Sequence, residues 1–298
     1  MRVLILNPTL RSASLLLCVI AAGNLSVHAQ GAAVTLAPAE VVAGSPELIR
    51  VNAADAAGVE GEWLGHKLQF FRRRDGQTWF ALAGVDVEGA VGASTLRMNA
   101  RLASGGARDL SQTVDIQPAN YRTGSLTVAP KFVEPSPKAL QRIKAEQALK
   151  EKVFAARAAE PLWTGSFRAP VAAQPTDSFG TRRTFNGKLA SIHKGMDFRA
   201  ATGTPVQAGN GGVVVLARPL YYEGNCVAID HGLGLFTISM HLSRIDVKEG
   251  QRVAGGDMVG LSGATGRVTG PHLHWAVRWR DAYLDPAKLL KLDLSAAR

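Results

Sequence analysis

The chain has 298 residues, 34 Lys and Arg against 24 Asp and Glu, a formal charge of +10 and 46% hydrophobic residues. That length and apolar content suit two globular domains and exclude a disordered chain. The positive balance favours an anionic partner, but no basic stretch interleaved with aromatics accompanies it, so nucleic acid is not the expected ligand.

Residues 1–29 read as a signal peptide: Arg2 and Arg11 are basic, 15–22 are apolar, and Val27-His28-Ala29 is a small-residue cleavage pattern. Gln30 is the expected mature start. The apolar run is too short to span a bilayer, and Cys18 follows Leu17 rather than a small residue, which argues against a lipid anchor. No second long apolar segment occurs, so no membrane span is expected after cleavage. Arg2 and Arg11 account for two of the ten net charges, leaving +8. Cys226 then remains as the only cysteine and cannot form an internal disulfide. Its run, Asn225-Cys-Val-Ala-Ile-Asp230, marks it as a small buried core residue.

Residues 30–130 predict a small accessory β-sandwich. Ile49-Arg-Val51, Leu68-Gln-Phe70 and Gln112-Thr-Val-Asp-Ile116 alternate apolar and polar residues as half-buried strands do. Asp75-Gly76 predicts a hairpin turn between 67–72 and 78–82, with Arg72-Arg73-Arg74 as its solvated tip. His66 has no companion ligand nearby. Residues 131–161 form a linker and a helix. Ser136 is the expected cap, with Pro137 at the first helical position. Residues 139–159 are rich in Ala, Lys, Glu and Gln, Glu146 lies four residues before Lys150, and Pro161 stops the helix. It reads as a spacer, the alternative being a helix packed across a catalytic groove.

Residues 162–298 change to short strands separated by glycines, at 213–216, 226–230, 236–241, 258–261 and 272–280, with no helical period before Pro286. This is an all-β, mostly antiparallel domain. Residues two apart on a strand share a face, so His272 and His274 point one way, and Leu273, Trp275, Val277 and Trp279 point the other. With His193-x-x-x-Asp197 they supply three metal ligands and one spare imidazole. Two His and one Asp would leave the fourth zinc position open, as in a catalytic site, whereas a structural site closes with a fourth protein ligand. Arg278 and Arg280 share the histidine face and read as exposed strand arginines. Residues 260–270 are glycine-rich but lack a following Gly-Lys-Ser/Thr, so a phosphate loop is rejected.

Six segments now fall into one order: Ser178-Phe-Gly-Thr-Arg182, His193-Lys-Gly-Met-Asp197, Gly203-Thr-Pro-Val206, Ile229-Asp-His-Gly232, Met240-His-Leu-Ser243 and Thr269-Gly-Pro-His-Leu-His274. In order and spacing this set resembles the lysostaphin/LytM-type zinc metalloendopeptidases, from about residue 176 to 286. The resemblance implies an antiparallel β-sheet metallopeptidase domain of the duplicated-hybrid-motif type with an open groove. It implies one Zn2+ per chain held by His193, Asp197 and His274, with His241 and His272 in the catalytic positions. The implied activity is hydrolysis of peptide cross-links in bacterial peptidoglycan by zinc-activated water, in the periplasm or cell envelope. The alternative is a latent or non-hydrolytic regulator of other wall hydrolases. Relatives of that kind typically lack a ligand, and this chain keeps all three with both catalytic histidines. His231, beside the turn Gly232-Leu-Gly234, is assigned a structural hydrogen-bonding role.

Overall fold

The structure, a computed structural model, describes residues 33–72, 76–156 and 158–297. The expected signal segment, Gln30, and Arg73, Arg74 and Asp75 of the expected hairpin tip lie outside the described residues.

Apolar alternation in the first hundred described residues builds two facing sheets. One runs Val34–Ala37, Pro46–Asn52, Thr78–Gly84, Phe71–Arg72; the other runs Val41–Val42, Ala107–Gln117, Gly92–Leu102, Ala56–Trp63, His66–Gln69. Ile49, Leu82, Leu96 and Met98 are buried in one core between them. The sequence predicted a single strand over 67–72, and the structure divides it. His66–Gln69 pairs with Ala56–Trp63, while Phe71–Arg72 pairs with Thr78–Gly84, so the chain changes sheet at Phe70. A period of two marks a segment as a strand but carries no information about its partner.

In the second half an eight-stranded sheet runs Pro175–Asp177, Met196–Phe198, Leu273–Trp279, Leu235–Leu242, Gly224–Asp230, Gly212–Leu220, Arg252–Val253, with Ala282–Leu284 also paired to Leu273–Trp279. Every neighbouring pair along it is antiparallel. Leu273, Trp275, Val277 and Trp279 face a core that is continuous with that of the N-terminal sheets. Removing side chains of that size from water contributes about 1.5–3 kcal/mol each. The opposite face carries His274, then Ala276 in a second, smaller core. Among the described residues the only helix after residue 160 longer than one 3₁₀ turn is Pro286–Leu289.

The helix Pro137–Ala155 begins as expected, the Ser136 hydroxyl oxygen accepting from the Ala139 N–H at 3.3 Å. It ends at Ala155 rather than at Pro161. The chain beyond is drawn onto the sheet, where the Ala158 N–H donates to Asp230 Oδ2 at 2.8 Å and its carbonyl accepts from Leu233 N–H at 2.8 Å. The helix is no spacer: Phe154 is buried against Phe236, ring centroids 5.1 Å apart, with the Arg278 guanidinium 4.8 Å from the Phe154 ring. Nor do Glu146 and Lys150 pair with each other. Glu146 meets Arg142 at 2.6 Å and accepts from the Tyr221 N–H, while Lys150 pairs with Glu223 at 2.5 Å.

Upstream of the helix, Thr123–Leu126 adds a parallel strand to Arg182–Phe185, which pairs in turn with Leu189–Ile192. The described residues cluster as one compact unit. No helix among the described residues is long and apolar enough to cross a membrane.

Candidate metal centre

Asp197 and His274 are direct cross-strand partners, and His274 is also opposite Met240 on its other side. This register stacks three strands at one point of the sheet. His193 enters from the loop before Met196–Phe198, with its Nδ1–H donating to the Ser178 carbonyl at 2.9 Å. That bond fixes the tautomer and turns the Nε2 lone pair inward. His193 Nε2 lies 3.0 Å from Asp197 Oδ1 and 3.0 Å from His274 Nδ1, and His274 Nδ1 lies 2.8 Å from the same Oδ1. Among the described residues these three form the one cluster of three or more potential donors with converging ligand atoms. Ligand bonds of 2.0–2.2 Å at tetrahedral angles put donor atoms roughly 3.3 Å apart, so the triangle has the dimensions of a zinc-sized ion's coordination face. All three side chains are buried.

Electrostatics agree with the geometry. Burial opposes the Asp197 charge, yet its polar contacts with His193 and His274 hold its carboxyl well below the usual carboxylate range. Burial pushes His274 down to about 4 despite the neighbouring carboxylate, so it stands neutral with a lone pair available. Asp197 Oδ2 accepts from Arg183 Nη2 at 2.9 Å, and the same guanidinium is tied to Asp177. Arg183 thus fixes the carboxylate from behind, leaving Oδ1 to the centre. Sequence reasoning missed this residue, whose only signal was its place directly after the Ser178–Arg182 motif.

His241 and His272 sit on the rim, ring centroids 4.9 Å apart, with His241 5.9 Å from His274. His272 precedes the strand Leu273–Trp279 rather than beginning it, and is held by an isolated bridge to Gly263. Its Nδ1–H donates to the Gly270 carbonyl at 2.8 Å, and that of His241 to the Thr265 carbonyl at 2.8 Å. Strict alternation would put Met240 and His241 on opposite faces, yet both line the cleft. The ladder explains it. Between the pairs Val227↔Ser239 and Asn225↔Leu242, two residues oppose one, a β-bulge, and His241 takes φ +64°. A left-handed conformation at a non-glycine residue is unfavourable and concentrates at functional sites. Burial, then repulsion from His274 and His272, pushes His241 down to about 3.

The cleft encloses about 260 Å³ and is lined by the four clustered histidines, Asp197, Arg183, Arg267, Tyr222, Glu223, and Leu126 and Val128 from upstream of the helix. A larger groove of about 1220 Å³ lies among the N-terminal strands and shares no lining residue with it; the converging donors mark the smaller cleft as the chemical centre.

His231 is buried and has the hydrogen-bonding role expected of it, its Nδ1–H donating to Gly211 O at 2.7 Å and its Nε2 accepting from the Thr237 hydroxyl at 2.8 Å. Cys226 is buried, which pushes its thiol well above the usual range. Arg278 and Arg280 do not reach the cleft. Arg278 donates to the Arg280 carbonyl, and Arg280 to the Lys67 carbonyl at 2.6 Å.

Three protein donors in an open groove, with two further imidazoles beside them, define a metallohydrolase type of centre rather than a closed structural metal site. Residues 191–286 match the model of peptidase family M23, so this segment is similar to metallopeptidase domains of the lysostaphin/LytM type. Over 110 residues it is 52% identical to the peptidoglycan DD-endopeptidase ShyA of Vibrio cholerae, covering 37% of this chain and 25% of that protein. It is 40% identical over 98 residues to the DD-carboxypeptidase/endopeptidase Mpg of Neisseria meningitidis, covering 33% and 23%. The chain thus spans about a quarter of the length of these curated relatives. A Pseudomonas aeruginosa crystal structure provisionally described as an M23 peptidase superposes with TM-score 0.64 at 28% identity, over 84% of this chain and 95% of that one. That likeness reaches beyond the matched domain into the N-terminal half.

Proposed function

We propose that this chain is an exported, zinc-dependent endopeptidase that hydrolyses peptide cross-links of bacterial peptidoglycan in the periplasm. The observation that carries the reading is the convergence of His193 Nε2, Asp197 Oδ1 and His274 Nδ1 to mutual distances of 2.8–3.0 Å at the floor of an open cleft. These three residues would hold one Zn2+. When bound, zinc supplies a Lewis acid for the scissile carbonyl and lowers the pKa of water to roughly 7. The rest is done by the chain's own groups. Because Nδ1–H of His241 and of His272 each donate to a backbone carbonyl, both rings present Nε2 to the cleft. A neutral His241 takes the proton of the attacking water at Nε2, and His272, when its Nε2 also carries a proton, donates to the oxygen of the reacting carbonyl. The amine leaves with the proton that His241 received. Peptidoglycan as substrate is supported by the names of the V. cholerae and N. meningitidis relatives and by the net positive charge.

A second reading, latency, draws on one feature: Leu126 and Val128 from the upstream segment are part of the cleft wall. Both readings meet the same test. Zinc-loaded protein is incubated with purified sacculi beside His274→Ala, and released fragments are read by mass spectrometry. Cross-linked dimers converting to monomers only with the intact protein is the expected result and identifies the bond. Bound zinc with no release would replace the endopeptidase reading with latency or a regulatory role.

A further inference from the structure

Three cations line the cleft, and their engagements differ. Arg183 is tied to Asp177 and Asp197. Lys194 lies 3.5 Å from Glu88 and over the Tyr283 ring. Arg267 has no carboxylate within ion-pairing distance among the described residues; Glu223, whose charge it feels, is held by Lys150. Instead its guanidinium lies 4.5 Å from the Phe185 ring centroid and 4.6 Å from that of Tyr222. Its backbone N–H donates to the Tyr222 carbonyl at 2.8 Å. The cradle is itself supported from behind: Phe185 is buried with Val128 and Phe132, and Phe132 packs on Tyr221 and Tyr222.

Aromatic faces hold a guanidinium by its plane and leave its edge, with the N–H fork, for a planar anion. Burial acts against the Arg267 charge and lowers its pKa. A partly buried cation with aromatic walls and no carboxylate paired to it among the described residues, in the same 260 Å³ cleft as the donor triangle, is arranged for an anion that arrives from outside.

We propose that Arg267 forms a subsite for a free carboxylate on a residue flanking the scissile amide of the substrate peptide. The subsite rests on the peptidase reading above and deepens it. The fork receives the carboxylate bidentately, which fixes the register of the peptide so that the adjacent amide falls over the metal centre. Arg267 is a specificity residue. It exchanges no proton and forms no bond to the reacting carbon. Arg183 and Lys194 do not substitute for it, because each already faces a carboxylate of the chain.

The test uses the full, zinc-loaded chain and two synthetic cross-linked peptide dimers. In one the diamino acid at the cross-link carries a free carboxylate beside the scissile amide; in its twin that group is a carboxamide. The wild type is expected to favour the acid by about tenfold or more in kcat/KM, chiefly through KM, as for a lost charge-assisted pair. Arg267→Gln should reduce the preference to within about twofold, with Arg267→Lys intermediate because it keeps the charge and loses the fork. Zinc content and circular dichroism confirm that the variants are folded and loaded, and Arg267→Lys carries the test if Arg267→Gln is not. A preference retained in Arg267→Gln, or absent from the wild type, overturns the subsite. If the wild type cleaves neither dimer, fluorescence anisotropy with labelled twins decides. Tighter binding of the acid that Arg267→Gln abolishes supports the subsite while the peptidase reading fails, and equal binding overturns it.

Discussion

At Gly195 a Cβ would come 2.4 Å from His274 Nε2 and 2.8 Å from the Trp275 carbonyl oxygen. Neither neighbour can give way, since one belongs to the donor triangle and the other to the central strand. Gly195→Ala is therefore expected to displace the His274 ring and weaken zinc binding by roughly 10–100-fold, the scale of losing a ligand's support. Competition with a chromogenic chelator measures it, and an unchanged affinity would refute the steric argument. The ligands and the rim separate in a second experiment. His274→Ala and Asp197→Ala should lose both zinc and activity. His241→Ala and His272→Ala should keep zinc while losing about 10²–10⁴ in rate, the usual contribution of a positioned acid or base. Full activity in either rim variant would dismiss its role. The triangle was legible because its residue types and spacing are chemical requirements. The reason for Gly195 was not, because it lies in a contact with a residue 79 positions away.

The helix Pro137–Ala155 and the segment before it form a brace for the rim. Glu146 and Lys150 hold the backbone of Tyr221 and the side chain of Glu223, and the Glu223 carbonyl accepts from the His241 N–H at 2.9 Å. Phe154, 5% exposed, anchors the helix on Phe236. Phe154→Ala should cost about 3 kcal/mol, within the range for emptying a buried aromatic site, and lower turnover while zinc content stays at one per chain. Urea unfolding and metal analysis check both halves; loss of zinc would mean that the helix supports the ligands instead. The start of this helix was readable from Ser136-Pro137, since caps are local chemistry. Its end and its salt bridges were not, because Asp230 and Glu223 are far away in sequence and outcompete the helix's own geometry. The bulge at Met240–His241 escaped for the same reason: alternation predicts faces only where the ladder is regular.

Across the whole molecule, one buried acid ties stability to pH. Glu47 is fully buried, accepts from the Ser45 hydroxyl at 2.5 Å, and its second oxygen has no hydrogen-bond partner among the described residues. Burial raises its pKa from 4.5 to about 8, against the lowering effects of Ser45 and Lys288. The folded state therefore keeps a proton that the unfolded chain releases. This contribution is intact below pH 4.5 and fades as pH rises toward 8, at up to roughly 1.4 kcal/mol per pH unit. Glu47→Gln should flatten that slope, so that the stability lost between pH 5 and pH 8 is smaller than in the wild type by on the order of 3 kcal/mol. Urea titrations of both proteins at the two pH values test it, and parallel pH profiles would show that Glu47 is already ionised in the fold. The same part of the molecule sets a limit on recombination. The back of the strand Leu273–Trp279 shares its core with the N-terminal sheets, Leu284 fills the space above Gly84, the Asp285 N–H donates to the Gly44 carbonyl at 2.7 Å, and His66 packs edge-on against Trp279. The half that carries the metal centre is consequently not a transferable cassette. A chimera that grafts residues 162–298 onto a foreign targeting module would carry an uncovered tryptophan seam, and must bring the first sheets along or replace that seam with polar residues to stay soluble.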